Sequence, residues 1–182
     1  WALIHAWRAL GQLKAVAAIE PILAQLNKWE ENEFAIDEVS TVLAMLGEAI
    51  IEPTFAFFMA FENEEFARVI AMDALAKLVQ RNPQLESSIT GLFAGYLKQP
   101  DADATLLNEL LVMHLVELDA IEHWEDIKAL FVNGMTDNTQ YDLQDAEMDF
   151  GLRETRDSPR QLAKPVFEIE KPESGDTDDI LE

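Results

Sequence analysis

"HWED", from His123 to Asp126, sets an imidazole beside two carboxylates where an apolar helical pattern begins. Those residue types could hold a metal ion or move a proton. Acidic residues in a first helical turn are also ordinary partners of the helix dipole, and that is the reading adopted for this stretch. His5 and His114 lie at no i, i+3 or i+4 spacing from it or from each other, and H-E-x-x-H is absent, so no two imidazoles share a helix face. His114 falls at a core position and reads as a buried, hydrogen-bonded side chain. Carboxylates crowd two loops, Glu30, Glu31, Glu33, Asp37 and Glu38 in one and Glu62, Glu64 and Glu65 in the other. Neither loop has the central glycine of a calcium loop. A glycosidase needs two acids facing each other across a cleft, which one chain segment does not supply. With no cysteine there is no thiolate zinc site, thiol nucleophile or disulfide. Phosphate-binding glycine loops and nucleophile elbows are missing as well. The expectation is a chain with no catalytic residues, no metal and no cofactor.

Aromatic residues offer a different chemistry. "TFAFFMAFENEEF" puts Phe55 and Phe58 on one side of a helix and Phe57 and Phe61 on another. A helix apolar on more than one side is either buried centrally or presents surface to a partner.

The elements that must position these groups are helices. Apolar residues recur at helical spacing up to Phe131, as in Leu85, Ile89, Leu92, Phe93, Tyr96 and Leu97. Strand-like alternation is nearly absent. The pattern predicts an all-α chain with helices near residues 1–13, 19–30, 34–47, 51–61, 63–81, 84–98, 103–119 and 121–132, paired as four hairpins. Leu10-Gly11 and Leu46-Gly47 each read as the end of a first helix, and Ile19-Glu20-Pro21 and Ile51-Glu52-Pro53 as the start of a second, where proline is tolerated.

The hairpins repeat at intervals of about 30 to 40 residues, a period that belongs to helical-pair solenoids. First helices share a frame: Ala6-x-x-Ala9-Leu10-x-x-Leu13, Val42-x-x-Met45-Leu46, Ala71-x-x-Ala74-Leu75-x-x-Leu78 and Leu111-x-x-His114-Leu115-x-x-Leu118. Small residues would let helices approach, and the leucines would fill the layer between pairs. "ARVIAMDALAKL", with Arg68, Ala71, Ala74, Leu75 and Leu78, resembles the HEAT repeat family, including short bacterial HEAT-like repeats similar to those of phycobilisome lyases. "AWRALGQLKAVAAIEPILAQL" is the next best match. The resemblance implies a right-handed α-α superhelix over residues 1–132, with repeats near 1–30, 34–61, 63–98 and 103–132. It also implies a binding scaffold whose second helices line the concave face, bringing Trp29, Phe57, Phe61 and Tyr96 to one groove, rimmed by Glu62 and Glu64. A tetratricopeptide reading fails, because Lys14 stands where that family has Tyr, and Leu23, Asn27 and Ala35 occupy its later signature positions.

Charge narrows the partners. The 182 residues carry 35 acidic and 13 basic side chains, a formal net charge of −22. That argues against nucleic acid, whose binding needs clustered Lys and Arg, and against an anionic membrane surface. A basic or amphipathic protein segment fits better. No apolar run is long enough to span a bilayer and none resembles a signal peptide, so the expected home is the cytoplasm. Trp1 is no initiator and helix is expected from the first residue, so a longer parent chain is also expected. Residues 133–182 lose the apolar stripe and become acidic, a composition that buries too little to offset its ordering entropy. Within it, residues 141–152 are expected to form a short helix capping the last repeat. The function expected is non-catalytic protein binding, with a chromophore-handling protein akin to bilin lyases as the alternative.

Overall fold

The computed structural model of the protein describes residues 2–28 and 33–157, with side chains from residue 5 in the first segment and from residue 37 in the second. Trp29 and the acidic residues Glu30 and Glu31 lie outside the described residues, as does the tail from 158 to 182. Within them the chain is all-α, without strands. In order come α1 (Ala2–Gln12), α2 (Ile19–Leu26), α3 (Glu33–Met45), α4 (Ile51–Met59), α5 (Glu65–Arg81), α6 (Glu86–Tyr96), α7 (Thr105–Glu117), α8 (Trp124–Val132) and α9 (Leu143–Asp149). A short 3-10 turn leads into α2, α4, α6 and α8, at Val16–Ala18, Glu48–Ile50, Pro83–Leu85 and Ile121–His123. α6 and α8 therefore start later than apolar spacing alone suggests, whereas α2 and α4 start as expected and end early, at Leu26 and Met59.

The two Leu-Gly pairs do different work. Gly47 follows α3 with φ +84°, a left-handed conformation that glycine adopts without steric cost. Gly11, expected to end α1 in the same way, lies inside it. A Cβ at Gly11 would stand 3.1 Å from Met45 Cβ and 3.3 Å from the Val42 carbonyl oxygen, so this glycine lets α1 press against α3. The reversal after α1 falls instead on Lys14, with φ +49°.

α1 packs on α3, α3 on α5 and α5 on α7, while α2 touches α4 and α4 lies along α5. Leu46, Leu75 and Leu115 are buried at the frame positions, and Leu10 is partly buried against the same core. Leu13 departs from the frame: it is 77% exposed, because α1 has already ended at Gln12. Polar bonds tie successive helices at the layer edge. Arg8 pairs with Glu38, Ser40 Oγ donates to Asp73 at 2.6 Å, and Lys77 Nζ bonds Asp37, Ser40 and Asp73. Burial pulls the Lys77 ammonium down, but the hydrogen bonds to Asp37 and Asp73 outweigh it and raise its pKa above the ordinary range. His114 belongs to this edge rather than to the core. It is half-buried, stacked on Phe93 at 6.4 Å, 3.6 Å from Asp73 and 3.3 Å from Glu117.

The short helix expected within residues 141–152 is α9. Asp142 and Asp145 form a reciprocal capping box at its start, and Arg156 pairs with both. Phe150 sets its ring edge against Trp124 at 5.9 Å. The approach to α9 hangs on Glu109, a fully buried carboxyl of α7 that accepts from the backbone N–H groups of Thr139, Gln140 and Tyr141 at 3.2, 2.7 and 2.8 Å. Burial first, and Asp137 next, push Glu109 up to about 7 despite those donors.

Candidate functional site: an acidic pocket over a buried arginine

α4 stops at Met59, two residues short of Phe61, because its last turn is closed from outside. Asn63 Nδ2 donates to the Phe57 carbonyl at 2.9 Å, and Asn27 ties down the same turn, donating to Asn63 and accepting from the Glu64 backbone N–H. The chain then enters α5 at Glu65. Opposite this turn, the loop between α6 and α7 folds back on two buried side chains. The Tyr96 hydroxyl donates to Asn108 Oδ1 at 2.8 Å and accepts from the Asp101 N–H at 3.1 Å. Asn108 Nδ2 donates to the Asp101 carbonyl. Burial raises the Tyr96 pKa, which keeps the phenol a donor.

Arg68 bridges the two walls. Its side chain is 1% exposed; Nε donates to the Phe58 carbonyl at 2.8 Å and Nη1 to Asp101 at 2.7 Å. The Phe61 ring lies over the guanidinium at 5.0 Å and the Tyr96 ring is 6.0 Å away, both within cation–π range. Nη2 is buried and has no hydrogen-bond partner among the described residues. Leaving such a donor unpaired costs about 1–3 kcal/mol, more for a charged group.

Above this guanidinium is an open pocket of about 240 Å³ lined by Phe61, Glu62, Asn63, Glu64, Glu65, Arg68, Asp101, Asp103 and Ala104. Five carboxylates thus face one guanidinium. Two of them have structural duties: Asp101 holds Arg68, and Glu65 accepts from the Leu107 N–H at 3.0 Å, capping α7 from a neighbouring helix. Among the described residues, no hydrogen bond or ion pair engages the carboxylates of Glu62, Glu64 or Asp103. Phe61 beside them is 49% exposed. The chemistry such an arrangement supports is cation capture with an apolar contact. No histidine lines the pocket, and among the described residues no group of three or more His, Asp or Glu is placed to hold a metal ion.

The residues expected at a common groove divide. Phe61, Glu62 and Glu64 line the pocket together. Phe57 does not join them: it is half-buried against the core, and Phe61 has left the helix on which the two would have shared a side. Tyr96 is fully buried and serves as a prop beneath the pocket, so it offers no surface to a partner. Its ring packs on Phe58 at 4.9 Å, which places Phe58 in the core with Phe93. Arg68, Asp101 and Asp103 went unrecognised as site residues. An arginine within the apolar run of α5 was the available signal, since a buried cation requires a partner, but where that partner lies depends on how the loops meet. No family model, no curated protein and no solved structure matches this chain.

Proposed function

We propose that this chain is a non-catalytic binding scaffold, a HEAT-like α-solenoid of four helical pairs that takes a basic or amphipathic protein segment. The carboxylates of Glu62, Glu64 and Asp103, unpaired among the described residues, carry this reading together with the half-exposed Phe61 they surround. Acid around an aromatic anchor suits a segment that offers both charge and apolar surface. The net charge of −22 steers such a partner toward the chain. Two regularities support the solenoid. The four second helices share a 3-10 lead-in. Polar bonds also recur at near-repeat spacing, from Arg8 to Glu38 at 30 residues and from both Ser40 to Asp73 and Arg68 to Asp101 at 33. Stacked pairs of this kind present extended binding surfaces.

The test is capture from a lysate on immobilised protein, eluted in steps of rising salt, with Phe61→Ala as control. That variant keeps every charge. Basic proteins held by the wild type, released at moderate salt and lost from the control are the expected result. Identical retention by both proteins rejects the reading.

A further inference from the structure

Resting on that reading, we propose that the pocket between the α4–α5 turn and the α6–α7 loop is the anchor site for one basic residue of a peptide chain: its cationic side chain is held by Glu62, Glu64 and Asp103, and its main-chain carbonyl is accepted by Arg68 Nη2. Two independent observations point to the same occupant. Three carboxylates without partners among the described residues call for a cation. A buried guanidinium nitrogen of Arg68, whose side chain lines the same pocket, is also without a partner among the described residues and calls for an acceptor oxygen. A simple cation would satisfy the first and be repelled by the second. A simple anion would satisfy Arg68 and meet five carboxylates.

A lysine or arginine within a peptide carries both groups on one residue, and an open pocket of about 240 Å³ has room for one such residue. Phe61 governs access. Its ring covers the guanidinium from a turn rather than from a helix, and half its surface is already open. A shift of that ring uncovers Nη2 and leaves an aromatic face against the aliphatic stem of the incoming side chain. Nε and Nη1 remain bonded to the Phe58 carbonyl and Asp101, so the guanidinium is pre-oriented for its third acceptor.

The experiment is an NMR titration of the full chain at low salt with a capped pentapeptide having arginine at its centre between leucines. Comparators are the same peptide with citrulline, which keeps the shape and loses the charge, and agmatine, which keeps the guanidinium and lacks the carbonyl. Shift changes are expected at residues 61–65 and 101–104, with both comparators weaker by about tenfold or more, since each lacks one of the two charge-assisted contacts. Glu62→Gln/Glu64→Gln, which removes no bond of the fold, is expected to weaken the arginine peptide about fivefold or more. Arg68→Lys is expected to bring the peptide down to the level of agmatine, with circular dichroism checking the fold. Equal binding of the arginine and citrulline peptides, agmatine binding as tightly as the peptide, or no binding overturns the proposal. Peptide binding that maps elsewhere and ignores the double variant also overturns it while leaving the scaffold reading intact, whereas that reading fails separately if Phe61→Ala changes nothing in lysate capture.

Discussion

At the residue scale, Glu109 is a buried side chain whose charge state bears on the fold. Its carboxyl is buried and its pKa is pushed up to about 7, first by burial and then by Asp137. Asp137 is held below the ordinary carboxylate range by the same partnership, so it stays ionised wherever Glu109 titrates. A carboxyl that binds its proton more tightly when folded contributes stability that is full below its unfolded pKa and lost as pH rises through the folded one. The segment 139–141 and α9 are therefore expected to loosen between pH 5 and pH 8, by on the order of 3 kcal/mol if the whole shift is expressed. Hydrogen exchange at the Gln140 and Tyr141 amides, corrected for the intrinsic pH dependence, measures this. Glu109→Gln keeps an acceptor for those amides and should flatten the profile; a wild type already flat across this range rejects the assignment. Glu109 was visible in the sequence as an acid among apolar residues of α7. Its partners were not, because Thr139, Gln140 and Tyr141 lie 30 to 32 residues away along the chain.

At the element scale, α1 approaches α3 closely at Gly11. Alanine is the better helix former by about 1 kcal/mol, so Gly11→Ala would stabilise an isolated α1. In the folded chain the new Cβ meets Met45 Cβ and the Val42 carbonyl, neither of which is the free end of a flexible side chain. Overpacking of this kind costs about 1–3 kcal/mol, and the net expectation is destabilisation by about 1 kcal/mol. Denaturant unfolding followed by far-UV circular dichroism would register it as a lower midpoint. A midpoint that stays or rises would mean that α1 is free to shift away from α3. The existence of α1 through α8 was legible from apolar spacing, and a short helix within 141–152 was expected where that spacing is lost. Their ends were less so: α4 is stopped by Asn63 reaching back to Phe57, and a side chain closing a neighbouring turn leaves no periodic trace.

At the scale of the whole molecule, excess negative charge acts in two directions. A net charge of −22 makes the folded chain repel itself, and salt screens that repulsion over about 10 Å at 0.1 M. The thermal midpoint is expected to rise from 10 to 150 mM NaCl while affinity for the arginine peptide falls. Both trends are measurable on one sample by differential scanning calorimetry and titration, and a midpoint that falls with salt would show that specific ion pairs outweigh the net repulsion. Sequence alone determined the all-α class, the helix inventory and the acidic character, because each depends on composition or on spacing within a dozen residues. It also singled out Phe61, Glu62 and Glu64, which share one short turn. Only the tertiary structure decided that Tyr96 is a buried prop, that Phe57 parts from Phe61, and that Arg68 meets Asp101 33 residues on, beneath a pocket. Contacts of that kind are set by how helices and loops far apart in the chain dock on one another, which spacing along a single helix does not encode.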